Sequence, residues 1–101
     1  METSTRTYFV RSDNVTEKPV GEDVALYVGA RRAIHVPNAT ARFIWESLRE
    51  PLTFDELLFI LGEAFDVDHA VLRKDLEDTL DLFAKSELLM TETRIDGPPL
   101  P

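Results

Sequence analysis

Few side chains in this sequence could do chemistry, and they do not form a recognisable catalytic group. His35 and His69 lie far apart in the chain and make no local pair of metal ligands, and there is no cysteine, which excludes thiolate chemistry. Asp66 and Asp68 have the spacing of a carboxylate pair, but a turn that ends in a helix N-cap explains them better. No serine has a G-x-S-x-G setting and no glycine-rich phosphate loop exists. We therefore predict a protein that is not an enzyme and needs no cofactor or metal.

The sequence feature with functional potential is a strand edge. Residues 32–36 are predicted to form one strand of a small sheet, with Ile34 and Val36 on one face and Ala33 and His35 on the other, and a three-stranded sheet has two edges. Such an edge has unpaired N–H and C=O groups, to which an extended peptide can add as a further strand. Main-chain bonds then supply affinity, and pockets for alternate side chains supply selectivity. Peptide binding is thus compatible with the pattern, although the pattern does not require it.

Composition and charge indicate one globular domain and argue against nucleic acid. The chain has 101 residues, of which 44% are hydrophobic and 30% charged. Residues 51–101 hold four Lys/Arg against twelve Asp/Glu and carry the whole net charge of −8, whereas residues 1–50 are balanced. An acidic half repels the phosphates of nucleic acids and anionic membranes. With no signal-peptide pattern and no apolar run long enough to span a bilayer, we expect a cytoplasmic protein without nucleic-acid or membrane partners.

The first half of the chain predicts a small antiparallel sheet. The alternating runs Val24–Val28 and Arg32–Val36 are joined by a glycine-containing turn, which predicts a β-hairpin. Tyr8–Arg11 is predicted to be the third strand of this sheet. Asn14–Gly21 contains turn residues and a proline and is predicted to be a loop.

The second half predicts three helices. Asn38 is the expected N-cap of the first helix, which presents Trp45 on its core face. Thr53 and Glu56 have the spacing of a capping box that opens the second helix. The third helix is expected from Asp68 to about Ser86.

The predicted fold class is α+β: a three-stranded antiparallel sheet followed by three helices, in the order β-β-β-α-α-α and winged-helix-like. The predicted domain covers residues 7–90, and residues 1–6 and 91–101 are expected to be flexible tails.

Three motifs of the second half resemble the PqqD family, which is named for a small protein of pyrroloquinoline quinone biosynthesis. The segment from Asn38 to Trp45, followed by Leu48, resembles the family's N-x-T-A-x-x-I-W-x-x-L signature. Thr53-Phe-Asp-Glu-Leu57 is similar to its T-x-x-E-L opening of the second helix. Asp75-Leu76 and Leu80 resemble its D-V-x-x-F-L segment, and Phe83 and Leu88-Leu89 its apolar closing positions. The resemblance covers about residues 7–90.

Three residues depart from the family pattern. Thr79 stands where an aromatic residue is usual, and Pro37 stands where leucine usually precedes the asparagine. Because proline has no backbone N–H, Pro37 shortens the usable strand edge. Glu87 replaces the usual glycine after the third helix. The departures keep the fold and affect the identity of the partner.

The resemblance implies a stand-alone peptide chaperone rather than a catalyst. Members of the family bind the leader of a ribosomally made precursor peptide in a groove between the third strand and the third helix. They present the precursor to a modifying enzyme, such as a radical S-adenosylmethionine enzyme or a leader peptidase. Carried onto this chain, the resemblance implies that the groove is formed by Arg32, Ala33, Ile34, His35, Val36, Leu72, Asp75, Leu76, Thr79 and Phe83.

Two other functions remain open at this point. The first is a winged-helix regulator that binds DNA, although the third helix carries more acidic than basic residues, unlike a recognition helix. The second is a non-catalytic scaffold that docks another protein.

Overall fold

Six strands and three helices make up the computed structural model, which describes residues 4–29 and 33–96. The strands are β1 (Ser4–Arg11), β2 (Val15–Val20), β3 (Asp23–Val28), β4 (Ala33–His35), β5 (Leu52–Thr53) and β6 (Leu89–Asp96). The helices are α1 (Ala39–Ser47), α2 (Phe54–Ala64) and α3 (His69–Lys85). The predicted combination of antiparallel strands and three helices is confirmed.

The strands form two sheets of three instead of the one sheet that was predicted. One sheet has the order β2-β3-β4, and the other has the order β5-β1-β6. The predicted hairpin is confirmed, because β3 and β4 pair antiparallel with Tyr27 opposite Ile34. The assignment of the first strand to that sheet is wrong, since β1 pairs with β5 and β6.

The third strand of the hairpin sheet is β2, which lies within the segment predicted to be a loop. Val15 pairs with Val28, and Pro19 pairs with Val24. Proline is tolerated in a strand at the edge of a sheet, where its missing N–H faces no partner. The turn residues and proline of this segment thus mark an edge strand as well as they mark a loop.

The long β1–β6 ladder includes residues that were predicted to be flexible tails. It runs without interruption from Ser4 opposite Asp96 to Arg11 opposite Leu89. Residues 4–6 and 91–96 are therefore strand residues, although mobility of these strands remains a prediction. Residues 1–3 and 97–101 of the predicted tails lie outside the described residues.

The helix boundaries follow the capping residues expected from the sequence. The Asn38 side chain accepts a hydrogen bond from the N–H of Ala41 at 2.9 Å, and the Asp68 carboxylate accepts one from Ala70 at 2.8 Å. Thr53 and Glu56 form the complete capping box of α2. Asp68 is thus a structural cap.

The core lies between the three helices and the inner face of β3. Alternation along β3 buries Leu26 and Val28, and one stripe of each helix covers them. The fully buried side chains are Trp45, Leu26, Ile44, Leu48, Leu57, Leu61, Leu76, Leu88 and Val28. Burial of large apolar side chains at roughly 1.5–3 kcal/mol each supplies most of the stabilisation.

A polar cluster on Trp45 connects both sheets to α1. Arg11 of β1 stacks on the indole ring, 4.2 Å from its centroid, and its Nε donates to the Trp45 carbonyl at 3.1 Å. Glu17 of β2 accepts from Arg11 Nη1 at 3.0 Å and from the Trp45 indole N–H. Partial burial lowers the pKa of the Arg11 guanidinium, and the Glu17 carboxylate opposes this shift. The three residues fix the two sheets against the same helix.

None of the helices in the described part of the chain combines the length and apolar character that crossing a bilayer requires.

Candidate functional site

The strand β4 forms an open edge of the hairpin sheet. Its only strand neighbour among residues 4–29 and 33–96 is β3. On the other side of β3, the N–H of Gly29 donates to the Asn14 carbonyl at 3.3 Å. Backbone groups alternate in direction along a strand, so the N–H and C=O groups of Val28 and Leu26 are directed towards β4. The backbone groups of their partners, Ala33 and His35, are directed towards β3. The N–H and C=O of Ile34, between them, therefore face outwards.

The opposite edge of this sheet is protected. Pro19 lies on β2, and by the same alternation its backbone nitrogen is directed away from β3. The outer edge of β2 therefore lacks one N–H. Lys18 adds a charge beside it. Proline and lysine are common devices against strand addition, which makes β4 the accessible edge of this sheet.

A cleft of about 300 Å³ runs beside β4 and separates it from α3. Four of its lining residues follow β4 into α1, and three belong to α3. The lining residues are His35, Val36, Pro37, Asn38, Ala41, Thr79, Leu82 and Phe83. The cleft thus joins an open strand edge to a helix face that carries apolar side chains.

The floor of the cleft is rigid because Phe83 packs on Trp45. The two rings meet edge to face with centroids 6.0 Å apart, an arrangement that aromatic pairs prefer. Phe83 is buried, and Trp45 is in turn held by contacts with Arg11 and Glu17. The side of the cleft formed by α3 is therefore fixed to the core.

Four residues predicted for the groove line this cleft: His35, Val36, Thr79 and Phe83. Ile34 lies on the opposite face of the sheet, where it shares a hollow with Tyr27 and Lys18 and leaves 66% of its surface exposed.

The remaining predicted residues are distributed over α3, β4 and the segment before it. Leu72 and Leu76 belong to the core, with 3% and 0% exposure, and do not line the cleft. Asp75 is exposed on α3, and Ala33 contributes strand backbone to β4. Arg32 lies outside the described residues. Whether any of the predicted residues binds a peptide remains a prediction.

Sequence reasoning missed Leu82, which lines the cleft while 56% of its surface is exposed. The apolar stripe of α3 contains Leu76, Leu80 and Phe83, and Leu82 falls outside it. An apolar residue beside the core stripe was the signal that could have found it. Pro37, Asn38 and Ala41 also line the cleft and were not predicted for it: Pro37 was interpreted only as a motif departure and Asn38 only as an N-cap.

Two acidic residues lie on α3 one helical turn before residues that line the cleft. Asp75 and Asp78 precede Thr79 and Leu82 by four residues each, so they continue the same helix face. Lys74 pairs with Asp78 at 3.3 Å. This exposed pair is screened by solvent and contributes little to stability. The N-terminal end of the cleft is thus flanked by carboxylates.

A larger hollow of about 510 Å³ lies elsewhere, between β1 and the start of α2. Its walls include Arg6, Asp55 and Glu56, and it adjoins no open strand edge of the hairpin sheet. In the described part of the chain, no three His, Cys, Asp or Glu side chains are grouped to hold a metal ion. The cleft beside β4 is therefore the better candidate site.

A family model described as coenzyme PQQ synthesis protein D (PqqD) matches residues 22–89, which include both walls of the cleft. The chain belongs to the PqqD family. The resemblance expected from the helix motifs is confirmed. The PqqD match begins at the turn before β3 and ends at the first residue of β6, so the hairpin of β3 and β4 and all three helices are family elements.

Two solved structures share the fold. The structure of TbiB1 in complex with the TbiA(beta) leader peptide is 26% identical, with a TM-score of 0.71 over 79% of this chain and 93% of that chain. The structure of lasso peptide synthetase B1 complexed with the leader peptide is 13% identical, with a TM-score of 0.71 over 81% of this chain and 96% of that chain. The second likeness shows the fold alone. No curated protein matches the chain.

Proposed function

We propose that this protein binds the leader segment of a ribosomally made precursor peptide and presents the precursor to a modifying enzyme. The observation that carries the proposal is the open edge of β4 beside the cleft of α3, in a PqqD family member. The similar TbiB1 structure holds a leader peptide. The protein itself then acts as a peptide chaperone and performs no chemical step.

The backbone of β4 supports strand addition at one position above all. Ile34 directs its N–H and C=O away from β3, so an extended leader can form a pair of hydrogen bonds with it. Because β4 has three residues and Pro37 follows closely, the edge provides few such bonds. The affinity must therefore depend strongly on side chains.

The cleft supports an apolar anchor in the leader. Val36 and Leu82, both more than half exposed, stand on its two walls, and Phe83 and Ala41 lie deeper. A leucine or aromatic side chain of the leader that enters between them would shield these surfaces from water. Each fully buried side chain of this kind contributes roughly 1.5–3 kcal/mol before the entropy of ordering the leader is counted.

The acidic flank of the cleft selects the charge of the leader. Asp75 and Asp78 favour a basic leader residue near the start of α3 and disfavour an acidic one. Such exposed charges affect the association rate and its salt dependence more than the final affinity. The complex should consequently form faster at low salt.

The second partner in the proposal is the enzyme that modifies the precursor. The family resemblance suggests a radical S-adenosylmethionine enzyme or a leader peptidase. A leader held on β4 leaves the remainder of the precursor free to reach the active site of such an enzyme. In this way the chaperone raises the effective concentration, at the enzyme, of the precursor segment that is to be modified.

The test uses Ile34→Pro, which removes the outward N–H of β4. The ligands are peptides selected from a displayed random library, together with any short precursor peptide that is encoded beside the gene. Ile34→Pro should weaken peptide binding at least about tenfold, the equivalent of one backbone hydrogen bond of about 1.4 kcal/mol. Ile34→Ala keeps the N–H and is the matched control, with a much smaller loss expected.

Amide spectra of the labelled protein locate the peptide. Binding should shift the signals of residues 34–36 and 79–83. A spectrum in which the shifted amides cluster on α1 and α2, with those two segments unmoved, would rule out the cleft. Unchanged affinity of Ile34→Pro would rule out strand addition at β4.

A further inference from the structure

The outer half of the β1–β6 ladder exposes side chains to solvent on both faces. In this outer ribbon, residues 5–8 of β1 pair with residues 92–95 of β6, and every side chain except the half-buried Tyr8 is exposed. An isolated two-stranded ribbon is at best marginally stable in water. A third strand along its edge would stabilise it, and β5 reaches only Tyr8 and Phe9 on the β1 side.

The backbone groups of β6 alternate between the edge that faces β1 and the edge that faces away from it. The Ser12 N–H donates to the Leu88 carbonyl at 3.0 Å, which sets the direction of the groups along β6. By alternation, Glu92 and Arg94 direct their backbone groups to β1, whereas Thr91, Thr93 and Ile95 direct theirs outwards. Within the described residues, no strand pairs with this outward edge.

We propose that β6 pairs antiparallel with the β6 strand of a second copy of this chain, with Thr93 on the two-fold axis. In this register Thr93 faces the partner's Thr93, and Thr91 faces the partner's Ile95. These are the residues whose backbone groups point outwards, so the hydrogen bonds form without any change of the β1–β6 ladder. The product is a continuous sheet of six strands.

The charges of β6 select this register and this partner. Glu92 lies opposite the partner's Arg94, and Arg94 opposite the partner's Glu92, so two ion pairs form across the axis. A shift of one residue per strand in either direction places Glu92 against the partner's Glu92 or Arg94 against the partner's Arg94. Like charges directly opposite each other destabilise strand pairing. The strand is therefore self-complementary in one register.

The edge also lacks the features that prevent such pairing. The edge strand β2 contains Pro19 and Lys18, whereas β6 contains neither proline nor lysine. Glu92 and Arg94 already lie side by side at 3.3 Å within one copy, and Arg94 stacks over Tyr8. Both charges are thus held at the position where the partner's charges would meet them.

The first test measures sedimentation of the full chain over a concentration series from about 1 μM to about 1 mM, a range that brackets the affinities of transient dimers. We expect a monomer–dimer equilibrium for the unmodified protein. Thr93→Pro removes the outward N–H at the axis and should raise the dimer dissociation constant at least about tenfold. A monomer throughout the series, or an unchanged dimer in Thr93→Pro, would overturn the proposal.

The second test leaves the backbone unchanged. Glu92→Arg alone, or Arg94→Glu alone, places like charges across the axis and should raise the dissociation constant about tenfold. The double variant Glu92→Arg/Arg94→Glu restores both ion pairs and should restore the dimer. Glu63→Arg, the same charge change on the exposed side of α2, should have no effect. Failure of the double variant to recover dimerisation, or an equal loss in Glu63→Arg, would contradict the proposed register.

Discussion

Glu87, directly after α3, has a backbone conformation that suits another residue type. Its φ is 62°, and within residues 4–29 and 33–96 no other non-glycine residue has a positive φ. The N–H of Leu88 donates to Phe83 at 2.9 Å, and the N–H of Glu87 donates to Ala84 at 3.1 Å. This is the Schellman motif, in which glycine usually occupies the left-handed position. The family's usual glycine at this position has the same physical explanation.

We predict that Glu87→Gly stabilises the protein by roughly 0.5–1 kcal/mol, because glycine adopts a positive φ without a steric penalty. Denaturant unfolding measures the change. Glu87→Ala is the control: it removes the carboxylate but keeps the Cβ, so it should not reproduce the gain. A less stable glycine variant would show that the side chain contributes more than the backbone strain costs.

Glu56 makes the stability of α2 depend on pH. Its carboxylate accepts a hydrogen bond from the Thr53 N–H at 3.0 Å, and this bond and a second one with Thr53 lower the pKa of Glu56. The folded state therefore favours the ionised carboxylate. The stabilisation is fully present above the unfolded pKa of about 4.3 and is lost as the pH falls through the lower folded value.

We predict that Glu56→Gln removes this part of the pH dependence. The melting temperatures of the two proteins, measured between about pH 3 and pH 7, should converge towards acid, since the unmodified protein loses its advantage there. Thr53→Ala should lower stability by about 1 kcal/mol at neutral pH, as loss of an N-cap does. If the melting temperatures of Glu56→Gln and of the unmodified protein differ by the same amount at every pH, the role of this carboxylate is contradicted.

At the scale of elements, the sequence predicted what is periodic and missed what is exposed. β3 and the three helices each have one buried face, so their apolar residues repeat with a strand or helix period, and β4 was predicted from its alternation and from the turn that joins it to β3. β2 and β6 are edge strands with mostly exposed side chains, so nothing forces apolar alternation on them. The pairing of β6 with β1 joins residues near opposite ends of the sequence, which no local pattern shows, whereas β2 pairs with the next strand, β3, across a turn at residues 21–22.

The candidate site divides in the same way. His35, Val36, Thr79 and Phe83 were identified because the family resemblance names the strand and the helix, and the structure brings these four together. Leu72 and Leu76 were assigned to the groove from the same helix, yet they lie on its buried face. Which face of a helix meets the core is decided by packing, and Leu82 shows that the accessible residue is the one outside the apolar stripe.

On α3, we predict that Leu82→Ala weakens peptide binding without loss of stability. Leu82 lines the cleft and is 56% exposed, so its removal costs little in the free protein but deletes a contact with the ligand. Val71 on the same helix is similarly exposed and does not line the cleft, which makes Val71→Ala the matched control. Calorimetric titration with a selected peptide should show about a tenfold loss for Leu82→Ala alone. Equal affinities of both variants would exclude Leu82 from the interface.

At the scale of the whole molecule, the charge distribution favours peptide binding over DNA binding, two functions that are both compatible with a winged-helix-like architecture. The net charge of −8 resides in residues 51–101, which contain α2 and α3. A DNA-binding winged helix would place the acidic α3 against phosphates. Peptide binding requires no such contact, and an acidic surface near the cleft is compatible with it.

We therefore predict no DNA binding at physiological salt. A mobility-shift titration with mixed-sequence duplex is sufficient to measure this. Binding tighter than about 10⁻⁶ M that weakens steeply with salt would contradict the prediction, because that dependence reports contacts with phosphates. A basic winged-helix protein titrated in parallel controls for the assay.

Trp45, the single tryptophan of the chain, has an optical consequence. Its ring lies in the core against Phe83, and Phe83 forms part of the cleft. Its indole N–H donates to Glu17, and the Arg11 cation lies over its face, so its emission reports one defined electrostatic environment. A ligand that displaces Phe83 or alters the field around it changes the colour or yield of that emission. The protein thus contains an intrinsic fluorophore in contact with a residue of its cleft, and occupancy of the cleft can be followed in solution without a label.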